Sequence, residues 1–89
     1  MIKLYYWPTP NGRKISIFLE ELEVPYKVFA ININKSQQFS KKFSKISPTN
    51  KIPVILDNEN QKIIFESGAI MIYLAKKYNK FIPKKYYWE

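Results

Sequence analysis

Between residues 2 and 31 the apolar pattern changes period twice, and this restricts the fold more than any other property of the chain. In "IKLYYW" (2–7), Ile2, Leu4 and Tyr6 alternate with Lys3, Tyr5 and Trp7, which predicts a strand. "PTPNG" (8–12) has the composition of a loop. From Arg13 onward, Ile15, Phe18, Leu19 and Leu22 recur at the spacing of an amphipathic helix, with Glu20, Glu21 and Glu23 on much of its other side. Pro25 forces the chain out of the helix, and "YKVFAI" (26–31) is strand-like again. A strand, a helix and a second strand in so short a span close as a right-handed crossover with parallel strands.

The rest of the chain extends that unit. Phe39, Phe43 and Ile46 give a weaker helical stripe, ended by "SPTN" (47–50). "VILDNENQKIIF" (54–65) is two apolar runs around a polar turn, the pattern of an antiparallel hairpin. "ESGAIMIYLAKKYNK" (66–80) predicts a third helix, with Ser67 as its N-cap, Lys76 and Lys77 in its last turns, and Asn79 in the left-handed conformation at its end. The order is β-α-β-α-β-β-α, an α/β fold with a four-stranded mixed sheet and helices on both faces. Within "NKIPVIL" (50–56), Pro53 interrupts an otherwise strand-like run, where it would remove a ladder hydrogen bond.

The chain has no cysteine and no histidine. A disulfide framework, thiol chemistry of its own, and the commonest general base and metal ligand are therefore excluded. "MIKLYYW" lacks the apolar core and cleavage site of a signal peptide, and no apolar run reaches the roughly 18–20 residues that span a bilayer. The expectation is a cytoplasmic protein without a membrane partner. The net charge of +8 comes from scattered lysines, which reads as a solvated surface rather than a nucleic-acid face.

Ala69 to Ala75, "AIMIYLA", is apolar on every side, so the third helix is expected to be buried all round. A single domain of 89 residues covers one side only, and Trp7, Tyr86, Tyr87 and Trp88 add further apolar surface. A second domain, a second subunit, or both are expected, with marginal stability for the chain alone.

Three stretches in this order, "PTPNGRKISIFLEE" (8–21), "NKIPVI" (50–55) and "FESGAIMIYLA" (65–75), resemble the N-terminal, thioredoxin-like domain of cytosolic glutathione transferases. The resemblance is strongest to the bacterial subgroup with glutathione-dependent disulfide-bond reductase activity and to its relative, the yeast prion-forming nitrogen regulator. It implies that residues 1–80 form a glutathione-binding domain and that 81–89 begin a linker to an all-helical domain that lies beyond them. It implies a cis peptide before Pro53, with the backbone of Ile52 pairing glutathione like an added strand. Glu66 would meet the γ-glutamyl ammonium and Ser67 its carboxylate, at a helix N-terminus. Lys51 and Gln38 would meet the glycyl carboxylate. At the place where thioredoxins carry their cysteine pair stands "PTPN", so the sulfur must be that of glutathione, stabilised as thiolate by Asn11 with Thr9 beside it. Other transferases use a hydroxyl here, which leaves Tyr5 or Tyr6 as alternative donors; by alternation they lie on opposite sides of the sheet. The activity implied is disulfide reduction or conjugation to electrophiles by glutathione, without metal, in a homodimer. A non-catalytic glutathione-binding or regulatory module is the alternative.

Overall fold

The computed structural model describes residues 1–80. The expected linker at 81–89, with Tyr86, Tyr87 and Trp88, lies outside the described residues. Strand β1 (Ile2–Tyr6) is followed by helix α1 (Pro10–Leu22) and strand β2 (Tyr26–Ala30). Two short 3₁₀ turns (Ile33–Lys35 and Gln37–Phe39) lead into helix α2 (Lys41–Ile46). The hairpin strands β3 (Val54–Asp57) and β4 (Lys62–Phe65) precede helix α3 (Ser67–Tyr78). The sheet order is β2-β1-β3-β4; β1 runs parallel to β2 and antiparallel to β3, and β4 closes the hairpin.

The alternation in β1 separates two cores. Ile2 and Leu4 are fully buried with Ile55 of β3, under Ile15, Leu19 and Leu22 of α1 and Ile70 and Leu74 of α3. Each such aliphatic side chain contributes about 1.5–3 kcal/mol by leaving water. Tyr5 faces the other way and packs against Phe43 of α2, Val54 and Ile31. Helices therefore cover both faces, α1 and α3 on one and α2 on the other.

Several boundaries differ from the sequence reading. β1 stops at Tyr6, one residue short of Trp7. α1 begins at Pro10 rather than Arg13: Thr9 is its N-cap, with the Gly12 N–H donating to Thr9 Oγ1 at 3.1 Å, and the proline stands in the first turn, where its missing N–H costs nothing. β3 starts at Val54, so Pro53 precedes the ladder instead of interrupting it. Phe39 is 63% exposed and does not share the stripe of Phe43, because it sits in a 3₁₀ turn that follows a left-handed Ser36 (φ 58°). Ser67 is the first helical residue of α3; Glu66 takes the capping position, with φ 68° and no side-chain capping bond. Asn79 is left-handed as expected and donates its N–H to the Ala75 carbonyl.

α3 is not buried all round. Ile70, Leu74 and Ala75 are covered, while Ile72 is 53% exposed. The outward side is uncovered among the described residues, as is Ile17 on α1 at 60% exposure.

Candidate functional site

Three chain segments meet at one end of the sheet: the N-terminus of α1, the residues entering β3, and the β4–α3 junction. Asn11, Lys51, Ile52, Pro53, Phe65, Glu66, Ser67 and Gly68 line a cleft of about 270 Å³ there. The Ile52–Pro53 peptide is cis.

The loop that presents Lys51 and Ile52 is tied from beneath. Ser47, fully buried, accepts from the Lys51 N–H at 3.2 Å and donates to the Lys51 carbonyl at 3.1 Å. Asn50 adopts a left-handed φ of 59°, and its side-chain amide donates to the Gln38 carbonyl at 2.8 Å and to Ser44 Oγ at 2.7 Å. Asparagine is among the few non-glycine residues that tolerate this backbone conformation. Replacing Asn50 by alanine removes both bonds and adds backbone strain. Chemical denaturation should show a loss of about 1–3 kcal/mol. An unchanged melt would mean that the loop is held by other contacts.

At the opposite wall Glu66 holds a positive φ with ψ 128°, an arrangement costly for a residue with a Cβ. Its carbonyl accepts from the Ile70 N–H at 2.9 Å, the first bond of α3. The N–H groups of Ser67, Gly68 and Ala69 are left for a partner outside the helix, at its positive end. An added Cβ on Gly68 would meet nothing within 4 Å, so the cleft is open beside it.

Four polar side chains line the cleft: Asn11, Lys51, Glu66 and Ser67. Among the described residues none of the four makes a side-chain hydrogen bond or ion pair. A cation, a carboxylate, an amide, a hydroxyl and a helix N-terminus therefore face one small volume with their bonding capacity free. Such a set matches a ligand carrying both charges.

The remaining sequence-derived candidates stand apart. Thr9 caps α1 next to Asn11 without lining the cleft. Gln38 also lies off its wall; its backbone carbonyl holds Asn50, and its side-chain oxygen is buried without a partner. Tyr5 lies in the α2-side core, stacked on Phe29 at 5.1 Å. Tyr6 packs against the opposite core, and neither tyrosine lines the cleft. Phe65 and Gly68 were not singled out by sequence reasoning, although both stand inside the "FESGAI" run. Ser47, Asn50 and Gly12 act through backbone support, which leaves no mark in periodicity. Among the described residues, no group of three or more histidine, cysteine, aspartate or glutamate side chains could hold a metal ion, and no helix is long and apolar enough to cross a membrane.

Residues 1–76 match the sequence profile described as glutathione S-transferase, N-terminal domain. The disulfide-bond oxidoreductase YfcG of Escherichia coli is 47% identical over 87 residues, covering 92% of this chain and 40% of that protein. The protein URE2 of Candida albicans is 40% identical over 72 residues, covering 80% of this chain and 21% of its own length. A crystal structure of a glutathione transferase family member from Pseudomonas fluorescens, with two glutathione bound, superposes with a TM-score of 0.84 at 43% identity, covering 96% of this chain and 39% of the other. The chain thus spans less than half the length of these relatives.

Proposed function

Because the chain belongs to the glutathione S-transferase family through that family's N-terminal domain, we propose that its cleft binds glutathione and serves thiol–disulfide exchange in the whole protein. The observation that carries this reading is the set of unengaged groups, Asn11, Lys51, Glu66 and Ser67, gathered around the Ile52–Pro53 peptide. In the proposed pose the backbone of Ile52 pairs with the cysteinyl residue as an added strand. Glu66 meets the γ-glutamyl ammonium. Ser67 and the free N–H groups of α3 take the γ-glutamyl carboxylate. Lys51 meets the glycyl carboxylate, with Gln38 behind it as a further donor. The sulfur comes to the N-terminus of α1, where the Asn11 amide donates to it. The Thr9 hydroxyl accepts from Gly12 and keeps its own proton to donate.

The chemistry follows from stabilising the thiolate. A thiol near pKa 8.5 gains about 1.4 kcal/mol of anion stabilisation for each unit by which it is lowered. The glutathione thiolate attacks one sulfur of a disulfide, forms a mixed disulfide, and expels the other sulfur as a thiolate, which takes up a proton. A second glutathione thiolate then attacks the mixed disulfide, giving glutathione disulfide and the second reduced thiol. Disulfide exchange is preferred to conjugation because the Escherichia coli relative is named for it and the Pseudomonas relative holds two glutathione molecules. The apolar side of α3 around Ile72, with Ile17 of α1, would meet a helical second domain or a second subunit of a homodimer.

Calorimetric titration with reduced glutathione and with glutathione disulfide tests the site. Ser67→Ala removes a hydrogen bond to a charged group and should weaken binding about tenfold or more. Asn11→Ala should retain binding and lose most of the rate with a disulfide substrate in the full-length protein. Binding indifferent to Ser67→Ala would overturn the pose, and a rate unchanged in Asn11→Ala would remove that residue from thiolate stabilisation. Binding with no turnover at all would favour the regulatory module.

A further inference from the structure

A second cavity, of about 200 Å³, opens on the α2 side of the sheet, and the glutathione reading makes no use of it. Tyr5, Phe29, Phe43 and Ile46 supply most of its apolar wall, with Ser40 and Lys42 as its polar positions. The rings form an ordered surface. Tyr5 stacks on Phe29 with an interplanar angle of 19°, and Phe43 leans on Tyr5 with centroids 5.8 Å apart. Burial pushes the Tyr5 phenol up from its ordinary value, so it stays protonated at neutral pH, and among the described residues nothing accepts its proton.

The charges around this surface have one sign. Lys42 lines the cavity, and the ammonium groups of Lys3 and Lys27 sit 6.0 and 5.6 Å from the centre of the Phe29 ring. No acidic residue lines the cavity, and among the described residues none of these three lysines forms an ion pair. The acids Glu20 and Glu21 belong to α1, and Asp57 pairs with Ile2, on the opposite face of the sheet.

We propose that this cavity binds a small planar aromatic anion, of the size and charge of an aryl carboxylate, independently of the glutathione cleft. The ring would lie along the Tyr5–Phe29–Phe43 surface. The carboxylate would meet Lys42 and the Ser40 hydroxyl at the rim, within the field of Lys3 and Lys27. Apolar walls with a few placed polar groups are the usual composition of a ligand site, and this volume suits roughly ten to thirteen heavy atoms. A neutral ring would fill the walls and leave the lysines unused; a small inorganic anion would leave the walls wet.

The test is a titration of the 89-residue chain with 2-naphthoate, followed by backbone amide shifts, without and with saturating reduced glutathione. Saturable binding is expected, with shifts centred on Ala30, Ile31 and Phe43, whether or not glutathione is present. Lys42→Glu, at an exposed position that should not disturb folding, should weaken binding about fivefold. Ile46→Trp, which fills the cavity, should weaken it about tenfold or more, and 2-naphthamide should bind less tightly than the carboxylate. An absence of saturable shifts, shifts centred on Ile72 of α3, or equal affinity in Lys42→Glu would each overturn the proposal. Loss of glutathione binding with naphthoate binding retained would instead count against the glutathione reading alone.

Discussion

Replacing Asp57 by alanine is expected to remove about 3–4 kcal/mol of stability, a large share of what a small domain possesses. Asp57 is fully buried at the end of β3. Its carboxylate accepts from the Tyr73 hydroxyl, from the Lys77 ammonium and, at 3.1 Å, from the Glu59 N–H. Lys77 also reaches Glu59 at 2.7 Å, and Asn60 donates to the Tyr73 hydroxyl at 2.9 Å. One carboxylate thus fastens the hairpin turn to the last turns of α3. Alanine would leave the Lys77 ammonium half covered and the phenol without its acceptor. Urea melts should show the loss, and thermal melts a fall of about 12 °C or more. A melt within 3 °C of the wild type, roughly half a kcal/mol for a chain of this size, would show the network to be idle.

The same group makes a pH prediction. Burial alone would lift the Asp57 carboxyl, but the hydrogen bonds from Lys77, Tyr73 and the Glu59 N–H outweigh it and hold the group below the ordinary carboxylate value. A carboxyl lowered in the folded state stabilises fully above its unfolded pKa of about 3.9. That contribution is lost as the pH falls through the lower, folded value. The gap in stability between wild type and Asp57→Asn should be wide at neutral pH and should close under acid. A gap that stays constant would mean that the charge of Asp57 carries none of the effect.

Gly12→Ala should be the second most damaging substitution and should strike the cleft as well. A Cβ at this position would lie 2.3 Å from the Trp7 carbonyl oxygen and 3.0 Å from a ring carbon of Tyr6. The first of these is backbone, so α1 must move away from the end of β1. Overpacking of this kind costs about 1–3 kcal/mol, against which the better helix propensity of alanine returns up to about 1 kcal/mol. A net loss of about 2 kcal/mol is expected by chemical denaturation. Because Thr9 and Asn11 flank the contact, glutathione affinity or thiolate stabilisation should fall with it. Full stability together with unchanged glutathione titration would show that the backbone relaxes without cost.

The elements were legible because their signals are local. Alternation in 2–6, the stripe of Ile15, Leu19 and Leu22, and the run in 54–65 report which side of each element faces a core. The site stretches were legible through resemblance, since Asn11, Ile52, Pro53, Glu66 and Ser67 stand in recognisable runs. The misreadings share a cause. Ser67 looked like a cap because serine commonly caps helices, but Glu66 turns through a positive φ and takes that position without a side-chain bond. Phe39 looked like part of a stripe until two 3₁₀ turns changed its phase.

Pattern and composition were enough to establish the order of elements, the two-sided sheet, the absence of any protein thiol and the apolar excess on α3, because each depends on neighbours a few positions apart in the chain. Folding alone shows that Asp57 is a buried anchor rather than a turn residue, that Asn50 and Ser47 hold the loop carrying Lys51, and that Gly12 must lack a side chain. Each of those depends on a partner brought close from another element or against the turn of a loop: Lys77 and Tyr73 for Asp57, the Gln38 carbonyl for Asn50, the Trp7 carbonyl for Gly12. Burial and hydrogen bonding are properties of the space around a residue, and sequence spacing does not encode who arrives there.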